Sequence, residues 1–316
     1  MIGVDCFMFE TLKLHQGPGL NGVYLTADPL SQEYDAQSDV TKYTLRPDYT
    51  LYIQGNLQEP PGGVLLKSDT MKLLDILVTG LEDSQVSRWV EVTLEEFLRL
   101  ARHAVTEGNK NDVRSRLKES AELLGALSMD WTEKDGRYIH RGVKLFDEIT
   151  YRNGRVCACF SEAMALYLRG CPSMPLPLPL LKISGKSTHC YPIGRRCLVH
   201  NAANKGQYSQ VIRVRSLLAV CPRIPRAEPG EKWTLSSLER KVIEPFTRAM
   251  DTLAGLNILT WKFREPVCRD DYEGFADSMV EFQVGQPVPV SPMSADCSDT
   301  KREYGPFDYK AFLAIR

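Results

Sequence analysis

The sequence predicts an α+β protein with two tandem winged-helix domains, a poorly defined N-terminal extension and a mobile C-terminal tail. Apolar residues alternate between helical and strand spacing, and the order helix, strand, helix, helix, strand, strand occurs twice. The length of 316 residues also fits two domains, each with an ordinary core. With 43% apolar and 25% charged residues, the composition excludes disordered, collagen-like and coiled-coil chains.

The predicted domain boundaries follow breaks in this pattern, the clearest of which is the turn-rich stretch QEPPGG at residues 58–63. The expected divisions are an N-terminal extension at 1–62, a first winged helix at 63–152, a connector at 153–181, a second winged helix at 182–285 and a tail at 286–316.

The first winged helix is predicted from one helix beginning near Ser68, the strand WVEV and two further helices. Thr93 and Glu96 match the capping-box pattern at the start of the second helix, and the third helix covers residues 109–127. The runs ALSMDW and KLFDEITYR are then the expected wing strands. The polar stretch TEKDGRYIHRG between them is the expected wing tip.

The connector should contain a strand at residues 154–160 and a short helix capped by Ser161. Its prolines should hold the segment CPSMPLPLPLL extended as a stiff link. Alternatively, its leucines pack as an edge strand of the second domain, since proline is tolerated at sheet edges.

The second winged helix repeats the order of elements without repeating the residues. Its wing strands should be ILTWKF and SMVEFQV, in which Lys262 faces away from two core-packed rings, Trp261 and Phe263. The expected elements before the wing are a helix at 187–204, the strand VIRV, a short helix at 215–220 and a long helix at 234–253.

Charge is distributed unevenly along the chain. The whole chain has a formal charge of −1, but residues 182–264 contain fifteen Lys or Arg against five acids, so this segment carries +10 and the rest −11. Such a basic block is typical of a surface that binds nucleic-acid phosphates. A solvated basic surface balanced by an acidic neighbouring domain stays open as the alternative.

The third helix of each domain is the predicted DNA-reading element, because the major groove is about as wide as one α-helix. Hydroxyls and backbone amides at a helix start suit phosphate oxygens, and an arginine one turn later can bind guanine. The expected DNA contacts of the second domain are Lys186, Arg195, Arg196, Lys232, Thr234, Ser236, Ser237, Arg240, Lys241, Lys262 and Arg264. Those of the first domain are Asn111, Arg114, Arg116 and Lys118.

The motifs of several enzyme classes are absent from the sequence. It contains neither GxxxxGK[ST] nor GxGxxG for nucleotide binding, and neither GxSxG nor HExxH for hydrolysis. It also lacks the His-x-His pair that holds the metal in tyrosine nickases. We therefore expect no catalytic centre, no cofactor and no metal, although Cys157 and Cys159 leave a metal pair open beside the interpretation as a buried strand.

The amino terminus lacks the pattern of a signal peptide, and no apolar run reaches the roughly 18 residues that a membrane span needs. These features predict a cytoplasmic protein with no membrane partner. The nine cysteines are then expected to be reduced thiols.

Four stretches of the second domain resemble the carboxy-terminal winged helix of theta-type plasmid replication initiator proteins, the tandem winged-helix Rep family. They are CYPIGRRCL, VIRVRSLL, LERKVIEPFTRAMDTL and ILTW. The resemblance covers roughly residues 182–264 and is looser over 68–151. It places the run from Arg240 to Pro245 in the helix that reads the origin, and it implies that this helix tolerates Pro245 or kinks there.

The resemblance implies a function as well as a fold. It implies an initiator that binds the direct repeats of a replication origin as a monomer and opens or marks an adjacent AT-rich segment. Its partners would be double-stranded DNA and a host replication initiator or helicase, and a homodimer would repress its own gene. Two alternatives stay open: a winged-helix transcription regulator on a palindromic operator, and a protein-interaction module that binds no DNA.

Overall fold

The computed structural model describes residues 8–15, 17–24, 31–54, 66–83, 87–101, 107–132, 139–184, 187–204, 210–221, 224–225, 227 and 233–289. Over these residues the chain has the predicted mixed α+β architecture, with four β-sheets and helices packed against them. The helices are α1 (Pro18–Val23), α2 (Ser68–Asp83), α3 (Leu94–Ala101), α4 (Glu107–Gly125), α5 (Glu162–Gly170), α6 (Leu178–Leu181), α7 (Cys190–Ala203), α8 (Val214–Leu218), α9 (Leu235–Leu238), α10 (Glu244–Gly255) and α11 (Tyr272–Asp277).

The strands occur before, between and after these helices, singly or in runs of two to four. They are β1 (Met8–His15), β2 (Ser31–Asp35), β3 (Val40–Arg46), β4 (Tyr49–Gln54), β5 (Trp89–Thr93), β6 (Leu127–Thr132), β7 (Ile139–Lys144), β8 (Phe146–Arg152), β9 (Arg155–Phe160), β10 (Ser173–Pro177), β11 (Gln210–Arg213), β12 (Leu259–Phe263), β13 (Met279–Val284) and β14 (Gln286–Pro289).

The first unit contains α2, β5, α3 and α4, followed by the antiparallel sheet β5-β9-β8. Thr93 and Glu96 form the predicted capping box: the Thr93 amide donates to the Glu96 carboxylate at 2.8 Å, and the Glu96 amide donates to Thr93 Oγ1 at 3.1 Å. The predicted inner face of α4 is buried at Val113 and Leu117. The order of these elements is the predicted one, and β5 pairs with β9.

The structure corrects the predicted pairing of the two wing strands of this unit. The strand ALSMDW, now β6, and the end of the expected tip, now β7, pair with each other in a different, five-stranded sheet of order β2-β3-β4-β6-β7. The other expected wing strand, KLFDEITYR, instead supplies β8, which forms a hairpin with β9 joined by Asn153 and Gly154. Both turn residues have positive φ (50° and 77°), as a type I′ turn requires. Residues 133–138 of the expected tip lie outside the described residues.

The N-terminal extension, for which the sequence predicted no structure, supplies β1, α1 and β2 to β4. β3 and β4 alternate buried and half-buried side chains, so one face of the five-stranded sheet packs inward. β1 lies at the centre of the sheet β10-β1-β14, antiparallel to β10 and parallel to β14. The start of the expected tail, Gln286–Pro289, is therefore a strand, and residues 290–316 lie outside the described residues.

The connector forms the predicted strand, β9, and the predicted helix, α5, whose cap Ser161 accepts from the Met164 amide at 3.2 Å. β9 belongs to the sheet of the first unit. The proline segment is not a free extended link: residues 173–177 form the edge strand β10, and α6 follows. The partner of β10 is β1, whereas the alternative prediction expected the second domain.

The second unit contains α7, β11, α8 and a long helix, followed by the sheet β11-β13-β12. α9, a π-helical turn (Glu239–Ile243) and α10 run on from one another, and we call residues 235–255 the composite helix. The π turn explains how Pro245 is accommodated. The Glu244 amide bonds to the Glu239 carbonyl five residues back, which widens the turn where the proline ring would otherwise clash with the Lys241 carbonyl.

Candidate nucleic-acid interface

The entrance of the composite helix presents polar and cationic groups to solvent. Thr234 caps it, and its side-chain oxygen accepts from the Ser237 amide at 3.3 Å. Ser236, Arg240 and Lys241 are exposed, while Leu238, Val242 and Ile243 on the opposite face are buried. The fold thus anchors one face of the helix in the core and presents the predicted cations on the other.

The two cations at this entrance are free of acidic partners among the described residues. Lys241 Nζ lies 5.5 Å from the centroid of the half-buried Trp233 ring, a cation–π contact that holds the side chain near the helix start. Farther along, the charges are paired: Arg248 with Glu244 at 2.7 Å, and Arg269 with Glu239 at 3.5 Å. Uncompensated positive charge on the composite helix is therefore concentrated at Arg240 and Lys241.

Of the two cations predicted to contact DNA from the second pair of wing strands, Lys262 does not lie on the same surface as Arg240 and Lys241. Trp261 and Phe263 pack against Phe246 of the composite helix, with ring centroids 6.4 and 6.5 Å from it, as predicted. Lys262 alternates with them and so lies on the other face of the sheet, where it pairs with Glu281 at 3.3 Å. Arg264 is exposed just after β12. Lys262 is therefore separated from Arg240 and Lys241 by the sheet.

The structure corrects the prediction that Arg195 contacts DNA. It is only 3% exposed, and its Nε lies 2.9 Å from Oδ2 of Asp75, which is fully buried on α2. Its guanidinium stacks on the Tyr24 ring, 3.4 Å from the centroid. A cation enclosed in this way cannot meet the backbone of a DNA duplex, so Arg195 joins parts of the fold and does not contribute to the interface.

Arg196 also faces away from the composite helix entrance. It is half-buried and lines a cavity together with Arg46 and Arg195. Lys186 and Lys232, two other predicted contacts, lie outside the described residues.

In the first unit, the predicted contacts lie on the outer face of α4 but are largely paired. Arg114 donates to the Asn111 side chain at 3.0 Å, and Lys118 lies 3.8 Å from Glu122. Arg116 pairs with Asp112 at 2.7 Å and also reaches Asp69 of α2 at 3.4 Å. This patch offers less free positive charge than the entrance of the composite helix.

Sequence reasoning overlooked one exposed residue of the interface, Leu235. Its side chain is 60% exposed in the first turn of the composite helix, beside Thr234 and Ser236. An apolar group at this position can contact the 5-methyl group of thymine in the major groove. The only sequence signal was its place outside the apolar stripe that Leu238 begins.

Cysteine thiols are the other potentially reactive groups in the described part of the chain. The seven cysteines within it form no disulfide bonds with one another, and burial is the main cause that raises the pKa of Cys157 to about 11 and that of Cys197 to about 12. No cluster of His, Cys, Asp or Glu there has the arrangement of a metal site. No described helix is both long and apolar enough to span a bilayer.

Comparisons with known proteins give distant structural similarities. A crystal structure of selenomethionine derivatives of domains 2 and 3 of RctB matches with a TM-score of 0.47 and 10% identity, over 83% of this chain and 96% of that chain. A crystal structure of RctB domains 2-3 matches with a TM-score of 0.37 and 8% identity, over 81% and 90%. No protein-family model matches the chain, and no curated protein matches it significantly. Scores below 0.5 do not establish a shared fold.

Proposed function

We propose that this chain is a sequence-specific double-stranded DNA-binding protein that initiates plasmid replication by binding origin repeats and recruiting host replication proteins. The observation that carries the proposal is the entrance of the composite helix, where Arg240 and Lys241 are exposed and have no acidic partner in the described part of the chain. The proposal includes no catalytic step and no cofactor.

The groups at this entrance suit a major groove. Arg240 has the bidentate donors that guanine O6 and N7 accept, and Lys241 provides a point charge for the backbone. The hydroxyl of Ser236 and the backbone amides of the first turn suit phosphate oxygens, and Leu235 suits a thymine methyl group. Base-reading and phosphate-binding groups thus lie within two turns of one helix.

The role as an initiator rests on the sequence resemblance over residues 182–264, above all on the run LERKVIEPFTRAMDTL. This run forms most of the composite helix, so the residues that carry the resemblance are also those that would meet DNA. Recruitment of a host initiator or helicase, and a homodimer, are further parts of the same proposal.

A binding titration separates the initiator from its nearest alternative. The protein is titrated against a random-sequence duplex and against the DNA that flanks its own gene, at two salt concentrations. We expect preferential, salt-sensitive binding with a ladder of evenly spaced footprints. A single symmetric footprint would instead favour a dimeric transcription regulator, and absence of binding would favour a protein-interaction module.

The double substitution Arg240→Ala plus Lys241→Ala tests the entrance of the composite helix. We expect it to weaken binding to the preferred fragment by about 2 kcal/mol or more, roughly thirtyfold, because two charge-assisted contacts are lost. Both side chains are exposed, so the melting temperature should hardly change.

The matched control is Lys42→Ala plus Lys67→Ala, which removes the same charge from β3 and from the start of the first unit. These lysines are partly exposed and lie outside the composite helix, each near a glutamate. The control should retain most of the affinity. Equal losses in the two double variants would show that only net charge matters and would refute the assignment of the composite helix.

A further inference from the structure

A cavity of about 1140 Å³ lies where the N-terminal elements meet the second unit. Its walls come from α1, the end of β3, the segment from α5 to β10, and helices α7 and α8. We call it the junction cavity. It is large enough for a small organic ligand, for which pockets of about 300–1,000 Å³ are usual.

Three arginines line the junction cavity, and none of its described lining residues is Asp or Glu. The carboxylates that pair with two of them are not among the lining residues: Asp48 lies 3.3 Å from Arg46, and Asp75 lies 2.9 Å from Arg195. Arg196 has no ion pair among the described residues. The cavity wall therefore carries excess positive charge.

Three buried nitrogen atoms of these arginines make no hydrogen bond within the described part of the chain, and one of them, Arg46 Nε, is only ion-paired, 3.3 Å from Asp48. Although Arg195 Nε is satisfied by Asp75, Arg195 Nη2 is buried without a hydrogen bond, and so is Arg196 Nε. Burial lowers the pKa of Arg196, and repulsion from Arg46 and Arg195 lowers it further. Buried donors of this kind are costly unless an acceptor satisfies them, and an anion would also relieve the repulsion.

The rest of the cavity wall is mainly apolar. Val199 of α7 and Val220, two residues after α8, line it, and so does Leu166, which is 63% exposed. Small-molecule sites combine an apolar lining with a few charged groups in the same way. An occupant that uses both parts must carry a negative group and an apolar body.

We propose that the junction cavity binds a small amphipathic anion. Its phosphate or carboxylate accepts hydrogen bonds from Arg195 Nη2 and Arg196, and its apolar part packs on Val199 and Val220. The site is separate from the entrance of the composite helix and requires no DNA.

The test uses 8-anilinonaphthalene-1-sulfonate as the probe, since it joins an anionic group to an apolar ring system. We expect one saturable site in the full chain, measured by probe fluorescence without DNA. Arg196→Met keeps much of the side-chain volume but removes the charge, so it should weaken probe binding about tenfold or more. Arg213→Met, which removes an exposed cation of β11 outside the cavity, should leave probe binding unchanged.

A second variant covers the case in which Arg196→Met does not fold, as judged by circular dichroism. Ser216→Trp on α8 places a ring in the junction cavity without removing a charge, and it should also weaken probe binding. Unchanged binding in either folded variant, or no saturable site in the parent chain, would overturn the proposal.

Competition identifies the anion. Inorganic pyrophosphate should displace the probe if the site takes phosphates, and octanoate should displace it if the site takes carboxylates. Displacement by neither contradicts the proposal. Displacement by a short DNA duplex at equimolar concentration would show that the arginines bind the DNA backbone, which also overturns it. Failure of the DNA-binding proposal leaves the result of the probe titration unaffected.

Discussion

Asp75 organises the most heavily buried polar network in the described part of the protein. It accepts from Tyr24 Oη at 2.5 Å, from Tyr191 Oη and from Arg195 Nε. Burial raises the pKa of Tyr24 and Tyr191, and the Asp75 charge adds to the rise, so both stay protonated donors. Burial alone would lower the pKa of Arg195, but the charge of Asp75, its hydrogen bond to Arg195 and the interactions with Tyr24 and Tyr191 together raise the pKa above its ordinary value.

This network gives a prediction for stability. Asp75→Ala leaves the Arg195 charge buried without its partner and should lower the free energy of unfolding by about 3–5 kcal/mol. The loss is measured by urea denaturation followed by circular dichroism. Glu244→Ala, which breaks the exposed pair with Arg248, is the control and should cost about 0.5 kcal/mol or less. A loss below about 1 kcal/mol for Asp75→Ala would contradict the structural role given to the network.

At the scale of single elements, the sequence correctly predicted the features that depend on residues close together in the chain. The capping box of α3 and the inner stripes of α4 and the composite helix involve residues three or four apart, and all lie as predicted. The strand pairing predicted for the first wing was wrong, although Asn153 and Gly154 are a strong hairpin signal. A predicted boundary after residue 152 divided the hairpin, because periodicity alone does not tell which strands pair.

The wing turn gives a second prediction. Gly154 has a φ of 77°, where a Cβ is strained, so Gly154→Ala should lower the free energy of unfolding by about 1 kcal/mol. Its carbonyl also accepts from the Leu94 amide at 2.7 Å, so strain here reaches the start of α3. Gly170→Ala at the end of α5 is the control, because a Cβ there meets nothing within 4 Å. Thermal denaturation should rank the two variants in that order; equal stability would contradict the turn assignment.

At the scale of the whole molecule, the two units share polar contacts and one continuous hydrophobic cluster. Asp75 of α2 bonds to Tyr191 and Arg195 of α7, and Lys72 of α2 donates to the Ile183 carbonyl at 2.5 Å. β1 adds a further link, since it pairs with β10 and with β14, which follows the second wing. The N-terminal elements therefore contribute to holding the units together.

These links predict that the chain unfolds in one cooperative step. Calorimetry should give a single transition in which the calorimetric and van't Hoff enthalpies agree within about 10%. Asp75→Ala should lower the midpoint or split the transition, because it removes the polar link between α2 and α7. Two well-separated transitions in the parent protein would show that the units fold independently and would refute the joint core.

The sequence by itself determined the mixed α+β class, the order of the elements from α2 to α4 and from α7 to the composite helix, and the cationic entrance of the composite helix. These depend on spacings of a few residues, through which periodicity and capping act directly. Only the tertiary structure decided that Arg195 is buried against Asp75, that β1 and β4 pair with distant strands, and that three arginines line the junction cavity. Arg46 and Arg196 are 150 positions apart, and Asp75 and Arg195 are 120 apart, so no local pattern could bring them together. The physical reason is that a buried charge is stable only beside its partner, and chain folding, not sequence proximity, supplies that partner.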